Sequence, residues 1–268
     1  MKIHKVSGSA RRLGVVSPTV HRHVELLQVL LAREIAARTS GTVLGAFWML
    51  LQPALQTAAI WFLLQVVLRI RYPELQGGFT EYYLAGMVPW LMLSEIMLRS
   101  LSILQEYAPI YQRTAFPVAL IPLLPPIISG AIYIVIYVVV AAIFGGAVSA
   151  TTSVLYILLL LLWVLPVVYL LAIVGVFVRD VQQIAPFILT MVLYLTPIFY
   201  LPAAMPKWLA WWLLINPFAH IVGIAHAVIG SEPLHFRGLI ALAAVWLLLG
   251  YPTWRMFRRV EPMIREAL

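Results

Sequence analysis

The longest stretch without an acidic or basic residue runs from residue 114 to residue 178 of this 268-residue chain. That is about three times the roughly 20 apolar residues that cross a bilayer as one helix. Charged residues make up 10% of the chain, against about 25% in soluble domains, and the mean hydropathy is +0.98. These values predict an integral membrane protein with room for about six transmembrane helices.

Charge-free intervals and turn residues divide the chain into six predicted spans. The stretch IFGGAVSATTS at 143–153 supplies the glycines and hydroxyl residues that turn the long apolar run back on itself. We expect Pro53 to kink the first span and Arg179–Asp180 to end the fourth. The predicted spans are residues 43–68, 80–103, 118–143, 154–178, 183–200 and 238–257. The fold class is therefore an all-α polytopic membrane protein.

The positions of lysine and arginine predict the orientation. Fourteen of the 18 fall in the N-terminal segment, around residues 99–117, at Arg179 and in the C-terminal tail, whereas the alternate loops hold four. By the positive-inside rule, both termini are cytoplasmic. Basic ends also explain the net charge of +8 better than nucleic-acid binding does. Residues 1–20 lack the apolar core of a signal peptide, so we expect the N-terminus to stay in the cytoplasm.

The segment before the first span has an imperfect amphipathic pattern. Its apolar stripe comprises Val24, Leu27, Leu31 and Ile35, and its charged residues lie roughly opposite. This pattern predicts an N-terminal interfacial helix at about 22–40, with a soluble cap helix as the alternative. The chain then divides into a cytoplasmic N-terminus (1–41), a transmembrane domain (42–257) and a cytoplasmic basic tail (258–268).

Several kinds of chemistry are excluded or disfavoured. The chain contains no cysteine, which excludes disulfides, iron–sulfur clusters and thiolate zinc sites. It lacks the G-x-x-x-x-G-K-[ST] motif, so any ATP-driven process needs a nucleotide site on another chain. His220 and His226 are six residues apart with no acid between them, and we expect no metal site there. No acid, base or metal set has the spacing of a membrane transferase or protease, and we expect no enzyme activity or cofactor in this chain.

Charged and aromatic residues inside the spans are candidates for a conduit. Glu95 and Arg99 are four residues apart on the second span, so a helical ion pair can form between them. Such charges face protein or water, and the pair either lines a conduit or is structural. Aromatic rings with polar edges suit the C–H faces and hydroxyls of sugars, although interfacial anchoring and packing remain alternatives. The candidate conduit residues are Trp48, Trp61, Trp90, Glu95, Arg99, Tyr194 and Tyr200.

The stretch TPIFYLPAAMPKWLAWWLLINPF at 196–218 is apolar enough for lipid but contains four prolines. Irregular backbone at membrane depth is tolerated only where protein or a water-filled cavity surrounds it. We therefore predict a re-entrant hairpin in the outer leaflet, with a short helix at 209–215 closed by Asn216–Pro217. Its tryptophans are either anchors or a lid. The candidate periplasmic gate residues are Pro197, Pro202, Pro206, Trp208, Trp211 and Trp212.

Six segments in a fixed order carry a resemblance to a known family. They are LAREIAARTSGTVLGAFWMLLQP (31–53), YYLAGMVPWLMLSE (82–95), YQRTAFPVALIPL (111–123), VGVFVRDVQQIAPFILTMVLYLTPIFY (174–200), LLINPF (213–218) and FRRVEPMIREAL (257–268). Together they resemble the membrane permease of polysaccharide ABC exporters, type-2 ABC transporters that move O-antigen, capsule or teichoic-acid chains. The resemblance covers about residues 22–268.

The resemblance implies a homodimer with two cytoplasmic ATPase subunits, which would bind ATP and magnesium. A lipid-linked glycan would pass between the protomers. The segment at about 106–117 would be a coupling helix that docks on the ATPase, flanked by the interfacial helix. A re-entrant helical pair would join the last two spans at the periplasmic face. The implied coupling residues are Pro109, Ile110, Tyr111, Gln112, Arg113, Phe116, Arg33 and Arg38.

The leading hypothesis is a permease subunit that exports a lipid-linked polysaccharide across the bacterial inner membrane. The F-x-R-D and T-P-I-x-Y stretches favour this branch over a type-2 ABC permease for a drug or small lipid. An integral membrane transferase is disfavoured by the missing catalytic cluster, and a channel would need no ATPase. The loop before Phe116–Pro117 carries only Arg113 as a basic residue, where relatives often carry several, which leaves the detail of the ATPase contact open.

Overall fold

The computed structural model describes residues 18–72, 78–111, 117–230 and 232–267, and every regular element in them is helical. The α-helices are α1 (Pro18–Thr39), α2 (Phe47–Trp61), α3 (Gly78–Glu106), α4 (Ala108–Tyr111), α5 (Leu124–Phe177), α6 (Asp180–Tyr194), α7 (Trp212–Ile215), α8 (Pro217–Ile229) and α9 (Phe236–Ala267). A π-helix continues α2 over Phe62–Val67, and 3₁₀ turns cover Val118–Leu123 and Pro202–Ala204. The all-helical prediction is confirmed.

Four helical stretches in the described residues are long and apolar enough to cross a membrane. They are Phe47–Val67, Gly78–Glu106, Val118–Phe177 and Phe236–Glu266. They coincide with the predicted first and second spans, the third and fourth together, and the sixth. The 15-residue helix α6 lies where the fifth span was predicted, but it is shorter than a bilayer-crossing helix.

The long helix α5 turns back on itself at Gly146. This residue has φ +75° and ψ −166°, a conformation that favours glycine and interrupts the helix. The arms, 124–145 and 147–177, run antiparallel, because the ring centroids of Tyr137 and Tyr156 lie 5.5 Å apart and the Tyr169 hydroxyl donates to the Ala119 carbonyl at 2.7 Å. The predicted turn at 143–153 therefore contains the reversal, but the backbone is non-helical only at Gly146.

Helix α3 forms the centre of the bundle. Buried residues make up 67% of its most apolar 18-residue stretch, compared with 11% for the corresponding stretches of Phe47–Val67 and α9. Tyrosine hydroxyls satisfy backbone carbonyls inside this core: Tyr83 donates to Thr57 at 3.0 Å and Tyr137 donates to Ala225 at 3.1 Å. Such bonds suit an interior without water, where an unpaired polar group is costly. They fix α3 and α5 against α2 and α8.

The prolines and polar caps after α6 explain why the helix ends earlier than predicted. Pro197 has no N–H to continue the helix, and Thr196 is held by a bond of 3.0 Å from the side-chain amide of Asn216. The same Asn216 accepts from the Phe218 N–H at 3.0 Å and so caps α8. The short helix predicted at 209–215 covers only Trp212–Ile215.

Helix α8 packs against α3, α5 and α9, with Ile221, Val222, Ala225 and Ile229 buried. Left-handed Gly230 closes its C-terminus, as is usual at this position. The segment between α6 and α9 is therefore a very short helix followed by a well-packed one. Whether this pair enters the membrane stays a prediction.

Candidate functional site

A charged cluster joins α1 to α3. On α1, Arg38 donates to Glu34 at 3.2 Å and reaches across to Glu95 on α3 at 2.9 Å. On α3, Arg99 donates to Glu34. It also makes a bidentate hydrogen bond to the Glu106 carboxylate, in which both N–O distances are 3.0 Å. The cluster therefore alternates carboxylates and guanidiniums across the two helices, and it fixes the position of the predicted interfacial helix.

Glu34 is the most buried member of this cluster, with 4% of the residue exposed. The hydroxyl of Tyr107, just beyond α3, also donates to it at 2.8 Å. Burial alone would raise the pKa of Glu34, but the Tyr107 hydroxyl and the guanidiniums of Arg99 and Arg38 hold the pKa below its usual value. Arg33 lies over the Tyr107 ring, 5.2 Å from the centroid. The end of α3 is thus bound to α1 by both charge and ring contacts.

The helical ion pair that the spacing of Glu95 and Arg99 permits does not form. Each residue has partners elsewhere. Glu95 pairs with Arg38 and accepts a hydrogen bond from the Ser129 hydroxyl, both at 2.9 Å. Arg99 pairs with Glu34 and Glu106. An ion pair between residues four apart on one helix stabilises that helix by only a few tenths of a kcal/mol. The bidentate hydrogen bond to Glu106 and the pairs between α1 and α3 are stronger, so they form instead. Sequence reasoning missed Glu34, although its spacing of four residues from Arg38 was visible.

A cavity of about 620 Å³ lies beside the charged cluster, between α1, α2, α3 and the first arm of α5. Three predicted conduit residues line it: Trp48, Glu95 and Arg99. The amide, hydroxyl and guanidinium side chains around it are Gln52, Gln56, Ser94, Tyr133 and Arg38. The cavity thus combines an indole face with many hydrogen-bonding groups, and its charges are of both signs.

The other predicted conduit residues lie elsewhere. Trp61 donates to the Thr80 hydroxyl at 2.9 Å, and Trp90 is buried in the core with its ring edge-on to Phe218. Tyr194 and Tyr200 line a separate cavity of about 300 Å³. Within the described part of one chain, the seven candidates therefore do not form one continuous lining.

The predicted gate prolines are divided between two cavities: Pro206 lines the second of these, whereas Pro197 and Pro202 line a third. Pro206 lines the cavity with Tyr194 and Tyr200, and the Pro197 carbonyl accepts from the Tyr82 hydroxyl at 3.0 Å. Pro202 opens the 3₁₀ turn that follows. Trp208 and Trp211 are exposed, and the Trp211 and Trp212 rings meet edge to face at 6.1 Å. The exposed indoles are compatible with either role predicted for them.

A third cavity, of about 460 Å³, contains the histidines singled out in the sequence. It is lined by His220 and His226 from α8, and by Glu232 and His235 from the following segment. His226 is buried and stacks on Tyr82, with ring centroids 3.8 Å apart. Among the residues described, no three His, Asp or Glu side chains are placed to hold a metal ion.

The predicted coupling residues are partly described. Pro109, Ile110 and Tyr111 belong to α4, whereas Gln112, Arg113 and Phe116 lie outside the described residues. Tyr111 is fully buried and donates to the Leu104 carbonyl at 3.0 Å. Burial raises the pKa of Tyr111 to about 12, although the charge of Arg265 opposes the shift. Of the two arginines predicted on α1, Arg38 belongs to the charged cluster and Arg33 covers Tyr107.

The sequence profile of ABC-2 type transporters matches residues 25–229. The chain belongs to the ABC-2 type transporter family. The match begins within α1 and ends at the last residue of α8, so it includes the charged cluster, the first two cavities and the α8 side of the third. With its long apolar helices, this ABC-2 chain is a multi-pass membrane protein.

Curated relatives match almost the whole ABC-2 chain. An O-antigen export system permease protein RfbA of Klebsiella pneumoniae is 24% identical over 250 residues, covering 91% of this chain and 95% of the relative. A protein of the same name in Myxococcus xanthus is 26% identical, with 93% and 97% covered. The polysialic acid transport protein KpsM of Escherichia coli is 23% identical, with 89% and 95% covered.

Proposed function

We propose that this chain is the membrane permease subunit of an ATP-driven exporter that moves a lipid-linked, O-antigen-like polysaccharide from the cytoplasm across the bacterial inner membrane. It would work as a homodimer with two separate ATPase subunits, which bind ATP and magnesium. The observation that carries this proposal is the similarity to O-antigen export permeases over nearly the full length of both chains.

The cavity beside the charged cluster supports a sugar substrate. A glycan presents hydroxyl groups together with apolar C–H faces, so it needs hydrogen-bonding side chains and an aromatic surface in one place. The hydrogen-bonding groups are supplied by Gln52, Gln56 and Ser94, and the aromatic surface is supplied by Trp48. A drug or small-lipid site would be lined mostly by apolar and aromatic side chains with few polar groups. The mixed lining therefore favours the polysaccharide over the drug or lipid alternative.

The proposed topology has six spans with both termini in the cytoplasm. The two arms of α5 would each cross the membrane, and α6 would complete its crossing with the irregular residues that follow it. α7 and α8 would form the re-entrant pair at the periplasmic face. On this topology the charged cluster, α4 and the end of α9 lie at the cytoplasmic side, where the lysine and arginine excess is found.

A co-expression experiment tests the two-component mechanism. The chain is purified alone and together with an ATP-binding subunit encoded beside it, and ATP hydrolysis is measured for both preparations. We expect no hydrolysis by the chain alone and a stable complex that hydrolyses ATP. Hydrolysis by the chain alone, or failure of the two to associate, would contradict the proposal.

Substitutions in the cavity test the substrate. In cells that export the glycan, Trp48→Ala and Gln52→Ala are each expected to lower surface glycan about fivefold or more with unchanged membrane levels of the permease. Leu55→Ala is the matched control, because Leu55 is an exposed residue of the same helix that does not line the cavity. Equal export by all three variants would remove the cavity from the glycan path.

A further inference from the structure

The C-terminal end of α9 packs onto the predicted coupling segment. The sequence pattern indicated a basic tail after residue 257, but α9 continues as one helix to Ala267. Two of its side chains, Phe257 and Ile264, are fully buried in a cluster that also contains Tyr111 and Leu30. The cluster therefore joins helices α1, α4 and α9, which are far apart in sequence.

Arg265 makes a direct bond to the end of α4. Its Nη1 donates to the Tyr111 carbonyl at 2.8 Å, and its Nη2 lies 3.7 Å from the Glu261 carboxylate one turn earlier. The last carbonyls of a helix have no partner within that helix, and a guanidinium can satisfy them and complement their partial negative charge. The ion pair with Glu261 orients the guanidinium toward this carbonyl.

Helix α4 needs such external support because it is only four residues long. One turn of helix has too few internal hydrogen bonds to offset the entropy of ordering its backbone. Tyr111 supplies one support through its bond to the Leu104 carbonyl of α3. Arg265 supplies a second from α9, at the residue where the chain continues into 112–116, the rest of the predicted ATPase-facing stretch.

We propose that the C-terminal end of α9 positions α4, the described part of the predicted coupling segment, and that Arg265 is the positioning residue. This inference rests on the proposed function, in which α4 and the residues after it contact the ATPase. A helix rises about 1.5 Å per residue, so α9 extends about 40 Å from this contact to its first turn. There Gly238 lies beside His220 of α8. If the ATPase displaces α4, α9 would therefore move with it, and the first turn of α9 would move relative to α8.

The experiment compares Arg265→Ala with Arg259→Ala. Arg259 lies on the same helix, is exposed, and loses the same charge when it is replaced. In the purified complex with the ATP-binding subunit, Arg265→Ala is expected to lower ATP hydrolysis at least fivefold per complex. Arg259→Ala is expected to change it less than twofold. Equal rates for the two variants would overturn the inference.

A second readout does not depend on the ATPase. A spin label is attached to a single cysteine at the exposed position 109 of the cysteine-free chain. In the permease alone, the label is expected to become more mobile in Arg265→Ala and to remain unchanged in Arg259→Ala. Unchanged mobility in both variants would overturn the positioning role. If the parent complex does not hydrolyse ATP, the proposed function fails while this readout still decides whether Arg265 holds α4.

Arg265→Lys guards against a variant that fails to fold. Lysine keeps the positive charge and one donor within reach of the Tyr111 carbonyl, although it loses the guanidinium fork. We expect it to restore at least half of the parent ATP hydrolysis and the parent mobility of the label. A lysine variant that accumulates normally but is as defective as the alanine variant would contradict a role for the bond to that carbonyl.

Discussion

At the scale of single residues, Glu34 determines how α1 sits on the bundle. It is the carboxylate that both Arg38 and Arg99 share, and it also accepts from Tyr107. A buried ion pair contributes little net stability compared with a well-packed apolar replacement, but removal of one partner's charge is costly. Without the Glu34 charge, Arg38 would still pair with Glu95 and Arg99 with Glu106, but both would lose their most buried carboxylate. The stability of this junction therefore depends on Glu34 more than on the exposed charges of α1.

The first prediction concerns Glu34→Gln in the detergent-solubilised permease. The change keeps the shape and removes the charge, so the two guanidiniums lose their shared partner. We expect a loss on the order of 3 kcal/mol in the free energy of unfolding. The control is Glu25→Gln, because the Glu25 side chain is 63% exposed and its ion-pair partner among the described residues is His21; its expected loss is below about 0.5 kcal/mol. Similar unfolding midpoints for both variants would contradict the role given to Glu34.

The pH dependence of stability follows from the same carboxylate. The pKa of Glu34 is lower in the folded protein than its ordinary value of 4.5, so the folded state favours the ionised form. Its contribution is complete above pH 4.5 and is lost as the pH falls through the folded pKa. We expect the unfolding temperature of the parent protein to fall below pH 4.5 more steeply than that of Glu34→Gln. Parallel curves for the two proteins would show that Glu34 does not titrate in this way.

The sequence made some of these residues visible and concealed others. Glu95 and Arg99 are conspicuous because charges are rare in an apolar span, and both do line a cavity. Glu34 is spaced to pair with Arg38, but it lies in a helix with several charged residues, and the sequence does not single it out among them. The partner of each charge depends on how α1 crosses α3, and that geometry is set by tertiary packing rather than by local spacing.

At the scale of helices, a close backbone contact joins the end of α5 to α3. A Cβ atom added at Gly175 would overlap the carbonyl of Leu101. Side-chain amides stabilise the same contact: Gln105 donates to the Gly175 carbonyl at 2.7 Å, and Gln182 donates to the Leu101 carbonyl at 3.1 Å. Small residues allow transmembrane helices to approach this closely, and interhelical hydrogen bonds then add to the packing.

The third prediction is that Gly175→Ala separates α3 from α5. The new methyl group would meet backbone rather than a flexible side chain, so the helices must move apart and the glutamine bonds must lengthen. We expect a large fall in the yield of monodisperse protein on size-exclusion chromatography.

Gly223→Ala is the control for this prediction. Gly223 also lies in a helix, but nothing is within 4 Å of an added Cβ atom. Alanine there should be tolerated, with a gain of up to about 1 kcal/mol in helix propensity. An unaffected Gly175→Ala protein, or equal damage from both substitutions, would show that the close approach is not required.

Helix boundaries show where sequence patterns suffice and where they do not. The reversal inside the long apolar run was predictable, because adjacent glycines mark it and one arm alone fills a bilayer. The end of α6 was predicted in part: Thr196–Pro197 marks it in the sequence, but the apolar residues 195–200 extended the predicted span to about residue 200. Besides Pro197, a contact between Thr196 and Asn216, which are 20 residues apart, fixes this end, and local sequence does not reveal it. The tail after residue 257 was described as basic and amphipathic, but its pattern does not show that the apolar side packs against Tyr111.

At the scale of the whole molecule, the two ends of the bundle differ in character. One end holds the charged cluster, α4 and the basic C-terminal turns of α9. The other holds the proline-rich stretch with exposed Trp208 and Trp211, and the cavity lined by histidines. Membrane proteins place excess lysine and arginine in the cytoplasm and tryptophan at the interfaces. This distribution of residues supports the proposed topology, in which the end that holds the charged cluster faces the cytoplasm.

Single cysteines in this cysteine-free chain test that orientation directly. Trp208 is 75% exposed, so Trp208→Cys is accessible to a reagent without disturbing a packed core. We expect a membrane-impermeant maleimide to label it in intact spheroplasts, and more rapidly during export if the hairpin opens with the glycan. Arg259→Cys, exposed at the opposite end, is expected to react only after the membrane is permeabilised. Labelling of Trp208→Cys only after permeabilisation would invert the topology, and with it the assignment of α4 to the ATPase side.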